Sequence, residues 1–208
     1  MGSPPDSPAA NQRETLPLRL TIAGREIELF DSFHLLLHKP AGCVTALSDR
    51  VHPTAVHYVQ KAPLGAELRP VGRLDLDTTG LLLWTTDGAW LHRLTHPRAA
   101  VPRGYHTALA RPFQAPPPNL VLRDGHLPRI RDLRPLSPGD AHPGLLRPDD
   151  AVAFATITIA GGAYHEVRRI FAALGSHVLA LCRVSFGGLT LPHDLAAGEW
   201  RQVDKTEI

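Results

Sequence analysis

Residues 69–95, RPVGRLDLDTTGLLLWTTDGAWLHRLT, set two apolar runs on either side of a loop carrying two carboxylates and two hydroxyls. Residues 69–74 and 80–85 read as strands, with Asp75-Leu76-Asp77-Thr78-Thr79 as the loop between them. Thr86-Asp87-Gly88 then opens a helix over residues 89–95, with Trp90, Leu91 and Leu94 on one side and Pro97 stopping it. Asp77, in Asp-Thr-Thr-Gly, reads as ordinary turn chemistry, a carboxylate accepting backbone N–H groups. Asp75 differs. It directly follows an expected buried strand and is placed to point to the sheet's edge, where nucleophiles and acid–base groups commonly sit.

Working outward, Leu18–Ile22 and residues 26–30 flank Ala23-Gly24-Arg25 as a hairpin. Residues 1–17, rich in Pro, Ser and Asn, read as a disordered N-terminal segment. Residues 33–38 (FHLLLH) form a buried strand that enters the turn Lys39-Pro40-Ala41-Gly42. A short helix is expected over 54–60, strands over 104–110 and 151–160, and loops over 112–118 and 133–148. The clearest helix spans 164–174, where Val167, Ile170, Phe171 and Leu174 fall at i, i+3, i+4 and i+7. Residues 178–184 and 199–203 close the chain as strands. Many strands and a few short helices, not regularly alternating, indicate an α+β fold with a largely antiparallel mixed sheet.

The chain has 208 residues, 43% hydrophobic and 20% charged, which suffices to bury a core. No stretch approaches the ~18 apolar residues of a membrane span. The first sixteen residues lack a signal peptide's apolar region, so a cytoplasmic protein with no membrane partner is expected. Cys43 and Cys182 match no metal-ligand spacing, so neither a disulfide framework nor a cysteine-based zinc site is expected. The formal net charge is only +2, but 19 of the 22 basic residues are Arg, the others being Lys39, Lys61 and Lys205. Between residues 91 and 135 stand eight Arg (93, 98, 103, 111, 123, 129, 131 and 134) against Asp124 and Asp132. Such a basic band is the footprint of a nucleic-acid binder, and equally of a set of solvated loop arginines.

Phosphate-loop and nucleophile-elbow motifs are missing. His165-Glu166-Val167-Arg168-Arg169 lacks the second His of a zinc-protease helix, and His92 and His96, at i and i+4, read as surface histidines. Neither a metal nor a cofactor is expected. On the helix over 164–174, with Val167 at 0°, Arg168 falls at about 100° and Arg169 at about 200°. Arg169 is therefore expected to face solvent or a polyanion. Arg168 borders the core face, where it either reaches a buried carboxylate or snorkels.

Several motifs recur in order. They are Leu37-His38-Lys39-Pro40-Ala41-Gly42, the block Gly72-Arg73-Leu74-Asp75 through Gly80-Leu81-Leu82-Leu83, and Thr85-Thr86-Asp87-Gly88. Leu94-Thr95-His96-Pro97, Arg103-Gly104-Tyr105, the run from Gly162 to Phe171 (GAYHEVRRIF) and LAAGEWR from Leu195 follow. Together they resemble the ribosomal-RNA pseudouridine synthases of the small-subunit (RsuA) and RluB/E/F branch, over about residues 30–204. The G-R-L-D-x-D-T-x-G-L-L-L block is highly specific. The resemblance implies a pseudouridine synthase catalytic domain over 34–204, acting without a cofactor. It implies Asp75 as catalytic aspartate, Tyr105 as the aromatic packed on the target uracil and general base, and Arg168 as the partner of Asp75. Arg73, Lys39, Arg103, Arg169 and Thr78 are then candidates for RNA binding.

Two departures are His38 where the family has Asn and Glu166 where it has Gln. Members typically carry a small RNA-binding S4 domain ahead of the strand at residue 34. Residues 18–33 resemble only the linker hairpin that would follow it, as in the E-type enzyme or a chain from which that domain was removed. The stretch from Asp49 to Val56 (DRVHPTAV) resembles the small-subunit enzyme and favours 16S rRNA as substrate. The alternatives are a large-subunit 23S rRNA synthase and a non-catalytic RNA-binding assembly factor. A glycoside hydrolase using Asp75 and Asp77 is disfavoured, because two residues in one turn cannot flank a glycosidic bond. The expected partner is ribosomal RNA or a ribosomal-subunit assembly intermediate, met by a monomer.

Overall fold

A computed structural model describes residues 18–22 and 24–208. The expectation for residues 1–17 lies outside the described residues. Two compact units divide the chain after Ser32. In the first, β1 (Leu18–Ile22) and β2 (Arg25–Leu29) form an antiparallel hairpin with Leu18 opposite Leu29.

The second unit, Phe33–Ile208, is built on β3 (His34–Lys39), β4 (Arg69–Pro70), β5 (Thr79–Thr85), β6 (Arg103–Leu109) and β7 (Ile130–Pro135). It continues with β8 (Ala153–Ile159), β9 (Val178–Phe186), β10 (Leu189–Thr190) and β11 (Trp200–Gln202). Its helices are short: α1 (Val56–Val59), α2 (Gly88–Thr95) and α3 (Glu166–Ala173). The sheet runs in the order β11-β3-β5-β9-β6-β8-β7, with β4 beside β5 and β10 beside β9. Among the described residues β5 and β9 pair in parallel and the other neighbours are antiparallel, so the fold is α+β with a largely antiparallel mixed sheet.

The continuous apolar runs explain the centre of the sheet. Every residue of β3 and β5 is buried, with Leu36 opposite Leu83, as expected for strands covered on both faces. Leu36, Leu81, Leu83, Trp90, Ala108 and Phe186 belong to one apolar core. The parallel contact of β5 with β9 depends on Gly80 (φ +105), where a Cβ would stand 2.7 Å from the Arg183 amide nitrogen. The helix after β5 starts as expected, Asp87 accepting the Trp90 amide at 2.9 Å.

Three expectations need correction. The strand over 69–74 ends at Pro70, because Gly72 turns to φ +80 and the Thr45 hydroxyl takes the backbone groups of Leu74. Thr45 Oγ1 donates to the Leu74 carbonyl and accepts from its amide, both at 3.0 Å. Asp75 thus follows an irregular segment held by a side chain, not a buried strand. The helix expected from residue 164 begins at Glu166, because His165 adopts a left-handed conformation (φ 49, ψ 33). The loop expected from residue 133 overlaps β7, whose register shift between Ile130 and Asp132 breaks the alternation that would have marked a strand.

Candidate active site

The loop between β4 and β5 is fastened from beneath. Lys39, fully buried at the end of β3, donates from Nζ to the carbonyls of Pro40 (2.9 Å) and Thr78 (2.8 Å), with Leu76 at 3.5 Å. Burial lowers its pKa, while Cys43, Asp77 and Asp75 pull the other way. Lys39 is therefore a structural clamp on the loop, and its expected contact with RNA is corrected. The Gly42 amide adds a bond to the Leu76 carbonyl at 2.8 Å, and the Thr78 amide closes the turn onto the Asp75 carbonyl at 3.2 Å.

Above this loop stands the first turn of α3. Val167, Ile170, Phe171 and Leu174 are buried, as the stripe requires, which rotates Arg168 toward the loop. Arg168 Nη2 donates to Asp77 Oδ1 at 2.7 Å, and its Nε lies 3.8 Å from Asp75 Oδ2. Its Nη1 donates to the Val178 carbonyl at 3.2 Å. The guanidinium thus spans both carboxylates and bonds the second more tightly. Asp77, read from the sequence as a turn former, is instead a partner of Arg168.

His165 presents Nε2 3.5 Å from Asp75 Oδ1, so the carboxylate has a cationic or hydrogen-bonding group on each side. Sequence reasoning quoted His165 only within a motif. Its left-handed backbone, which aims the ring, carries no sequence signature in a non-glycine residue. Tyr164, 78% exposed, stacks on the His165 ring at 3.8 Å.

These groups line one cleft of about 660 Å³. Its lining includes Asp75 and Arg168 together with Tyr105 of β6 and Leu181 and Arg183 of β9. The cleft thus brings together Asp75, Tyr105 and Arg168, expected to act as a group, and adds Arg73, Arg103 and Thr78. Arg73 is exposed, whereas the Thr78 hydroxyl is buried without a hydrogen-bond partner. Arg103 is committed inward, its Nη1 donating to the Gly161 carbonyl, and burial lowers its pKa against the opposing pull of Tyr105. Arg169 departs from expectation. Its guanidinium is ion-paired with Asp124 and bonded to the Tyr164 carbonyl at 3.0 Å, away from the cleft wall. Apart from Arg103, the arginines of the basic band are exposed, and Arg129 stands on the cleft wall.

A cleft lined by an aromatic ring, by a carboxylate with a guanidinium on one side and an imidazole on the other, and by several arginines suits a planar base attached to a polyanion. Comparison with known proteins agrees. The family model described as RNA pseudouridylate synthase matches residues 33–173. The chain belongs to the RNA pseudouridylate synthases. This synthase is 38% identical over 175 residues to the ribosomal small subunit pseudouridine synthase A of Escherichia coli, covering 84% of this chain and 72% of that one. The protein of the same name from Vibrio cholerae is 37% identical over 185 residues, covering 89% and 76%. A solved structure titled as a pseudouridylate synthase superposes with a TM-score of 0.69 at 31% identity, over 90% of the synthase and 81% of that chain. The enzyme is accordingly an isomerase acting on RNA, with the mixed-sheet fold of its relatives.

Proposed function

We propose that this synthase converts a uridine of small-subunit (16S) ribosomal RNA to pseudouridine, with Asp75 as the catalytic carboxylate, Tyr105 under the target base and Arg168 orienting Asp75. The substrate assignment rests on the relatives named for the ribosomal small subunit and on the DRVHPTAV stretch from Asp49. The observation that carries the site assignment is Asp75, flanked by His165 and Arg168 in the one cleft that Tyr105 also lines.

The reaction moves one carbon–nitrogen bond. The N1–C1′ bond of uridine breaks with its electron pair passing to the uracil. The ring turns, C5 bonds to C1′, the C5 proton leaves and N1 takes up a proton, so product and substrate are isomers. Asp75, ionised, supplies the electron pair that bonds to the reacting carbon or stabilises its positive charge. Arg168 and His165 hold the carboxylate oxygens in place, which limits the motions open to it before attack. Tyr105 offers a face for the extruded base and a phenol for the C5 proton. Arg73 and Arg129 at the rim serve the phosphates flanking the target. A cytoplasmic location and ribosomal RNA, free or in an assembling subunit, belong to this same reading, as does action as a monomer.

The test is tritium release from C5-labelled uridine in separate 16S and 23S transcripts and in ribosomal subunit precursors. Release from 16S RNA or small-subunit particles supports the proposal. Release confined to 23S RNA overturns the substrate assignment, and no release from any of them overturns the catalytic reading.

A further inference from the structure

Three charged side chains of the unit Phe33–Ile208 are almost fully buried: Lys39, Glu166 and Arg183. Lys39 is satisfied by carbonyls, and Glu166 by His126 Nε2 and the Ala163 amide, each at 2.9 Å. Arg183 is different. It is 1% exposed, its Nε donates to the Leu81 carbonyl at 2.7 Å, and its Nη2 is buried without an acceptor. No carboxylate among the described residues forms an ion pair with it, although the loop carboxylates Asp75 and Asp77 are engaged by Arg168. The guanidinium lies 5.5 Å from the centre of the Phe186 ring, and the Arg103 guanidinium lies 5.3 Å from the same centre. Two cations thus share one phenyl ring, and neither forms an ion pair with a carboxylate among the described residues, the Glu166 charge only opposing the lowering of the Arg103 pKa. Burying an unpaired cation is costly, and a cation–π contact returns only about 0.5–2 kcal/mol. That arrangement is what an electrostatic site for negative charge requires before its ligand arrives.

Its location says which charge. Arg183 stands directly across the β6–β9 pair from Tyr105, and both line the cleft that holds Asp75. Cross-strand neighbours bring their Cβ atoms within about 4.5–5.5 Å. A planar base lying on the Tyr105 ring therefore has its edge within reach of the Arg183 side chain. We propose that Arg183 is a further catalytic residue, donating to a carbonyl oxygen, O2 or O4, of the uracil and stabilising the negative charge the ring acquires during isomerisation. The inference rests on the pseudouridine synthase reading of this cleft. It holds for either order of bond making. When the N1–C1′ bond breaks, its electron pair delocalises from N1 onto O2 and O4. When the carboxylate instead adds at C6, the C5–C6 π electrons move onto O4. In both cases Arg183 donates a hydrogen bond and neither gains nor loses a proton, as suits a permanently charged guanidinium.

The experiment is a cycle between enzyme and substrate: wild type and Arg183→Lys, each with target uridine, 2-thiouridine or 4-thiouridine at the modified position. Removing one such donor typically lowers kcat by about 10²–10³. Arg183→Lys is expected to lose about 100-fold in single-turnover rate with RNA affinity within about threefold of wild type. One of the two thio-substitutions is expected to slow wild type by about tenfold or more and the variant far less. Equal slowing of both enzymes by each substitution overturns the proposal, as does a variant that loses RNA affinity with its rate intact. If Arg183→Lys does not fold, wild type alone decides: unchanged rates on both thio-substrates overturn the proposal. Failure of the underlying reading is separable, since wild type then fails to turn over unmodified RNA.

Discussion

Replacing Lys39 by Met removes a buried ammonium while keeping the volume of its stem, and the structure fixes what is lost. The Leu76 carbonyl keeps the Gly42 amide at 2.8 Å, so its 3.5 Å contact with Nζ matters little. The bonds to the Thr78 and Pro40 carbonyls, at 2.8 and 2.9 Å, have no such substitute. At about 1.5–3 kcal/mol per charge-assisted bond the gross loss is about 3–6 kcal/mol. Relief from holding an ammonium out of water, the largest cause of its lowered pKa, returns part of this. The net destabilisation expected is about 2–4 kcal/mol, which lowers Tm by about 5–15 °C for a domain of this size. Thermal unfolding followed by circular dichroism reads the first effect. Tritium release well below Tm reads the second, an expected loss of about 10–100-fold as the loop holding Asp75 loosens. A variant that melts within a degree of wild type and keeps its rate would refute the clamp.

Two other perturbations act on buried positions of the same unit. Gly80→Ala is expected to destabilise by about 3 kcal/mol or more, because the new Cβ meets the Arg183 backbone at a positive φ; a urea midpoint equal to wild type refutes this. His142, 2% exposed, is held at about 4 from an ordinary 6.5, chiefly by burial and then by His193. Its Nδ1 accepts the Gly144 amide at 2.9 Å and its Nε2 faces the Leu191 carbonyl at 3.2 Å, so the neutral ring is the one that fits. Between those two values the unfolded chain binds the extra proton, so stability is full above about pH 6.5 and falls toward pH 4 by up to about 3 kcal/mol. Urea unfolding at stepped pH tests this: the decline should shrink in His142→Gln, and an unchanged pH dependence in that variant refutes the assignment.

Much of the fold was legible because its signals are local. The apolar runs at 35–37 in β3 and 81–84 in β5 could hardly be anything but buried strand, and the stripe of α3 fixed which side of that helix Arg168 would leave. Several of the errors share one cause, namely partners distant in sequence. Thr45 ends the segment before Asp75 from 29 residues away, and no local pattern announces a hydroxyl that replaces a strand partner. Arg168 is found 91 residues from Asp77, so the turn reading of that carboxylate was reasonable locally and wrong spatially. Lys39 was a candidate for RNA binding at the turn after β3, but its stem runs inward and its charge is absorbed by carbonyls. Arg183 drew no attention at all, since one charge near the middle of a strand reads as an outward residue until the strand is seen at the centre of the sheet. The bulge in β7 hid a strand for a local reason, by breaking the alternation that reveals one.

The central claim is that Asp75, and not its neighbour Asp77, supplies the reacting carboxylate while Arg168 braces both. Single-turnover tritium release by Asp75→Asn and Asp77→Asn, on the transcript or particle that wild type modifies, tests this most directly. The account predicts no detectable release from Asp75→Asn and a rate for Asp77→Asn reduced by about 10–100-fold but measurable, since Asp77 acts only through Arg168. Turnover by Asp75→Asn comparable to wild type, or complete loss confined to Asp77→Asn, would contradict it.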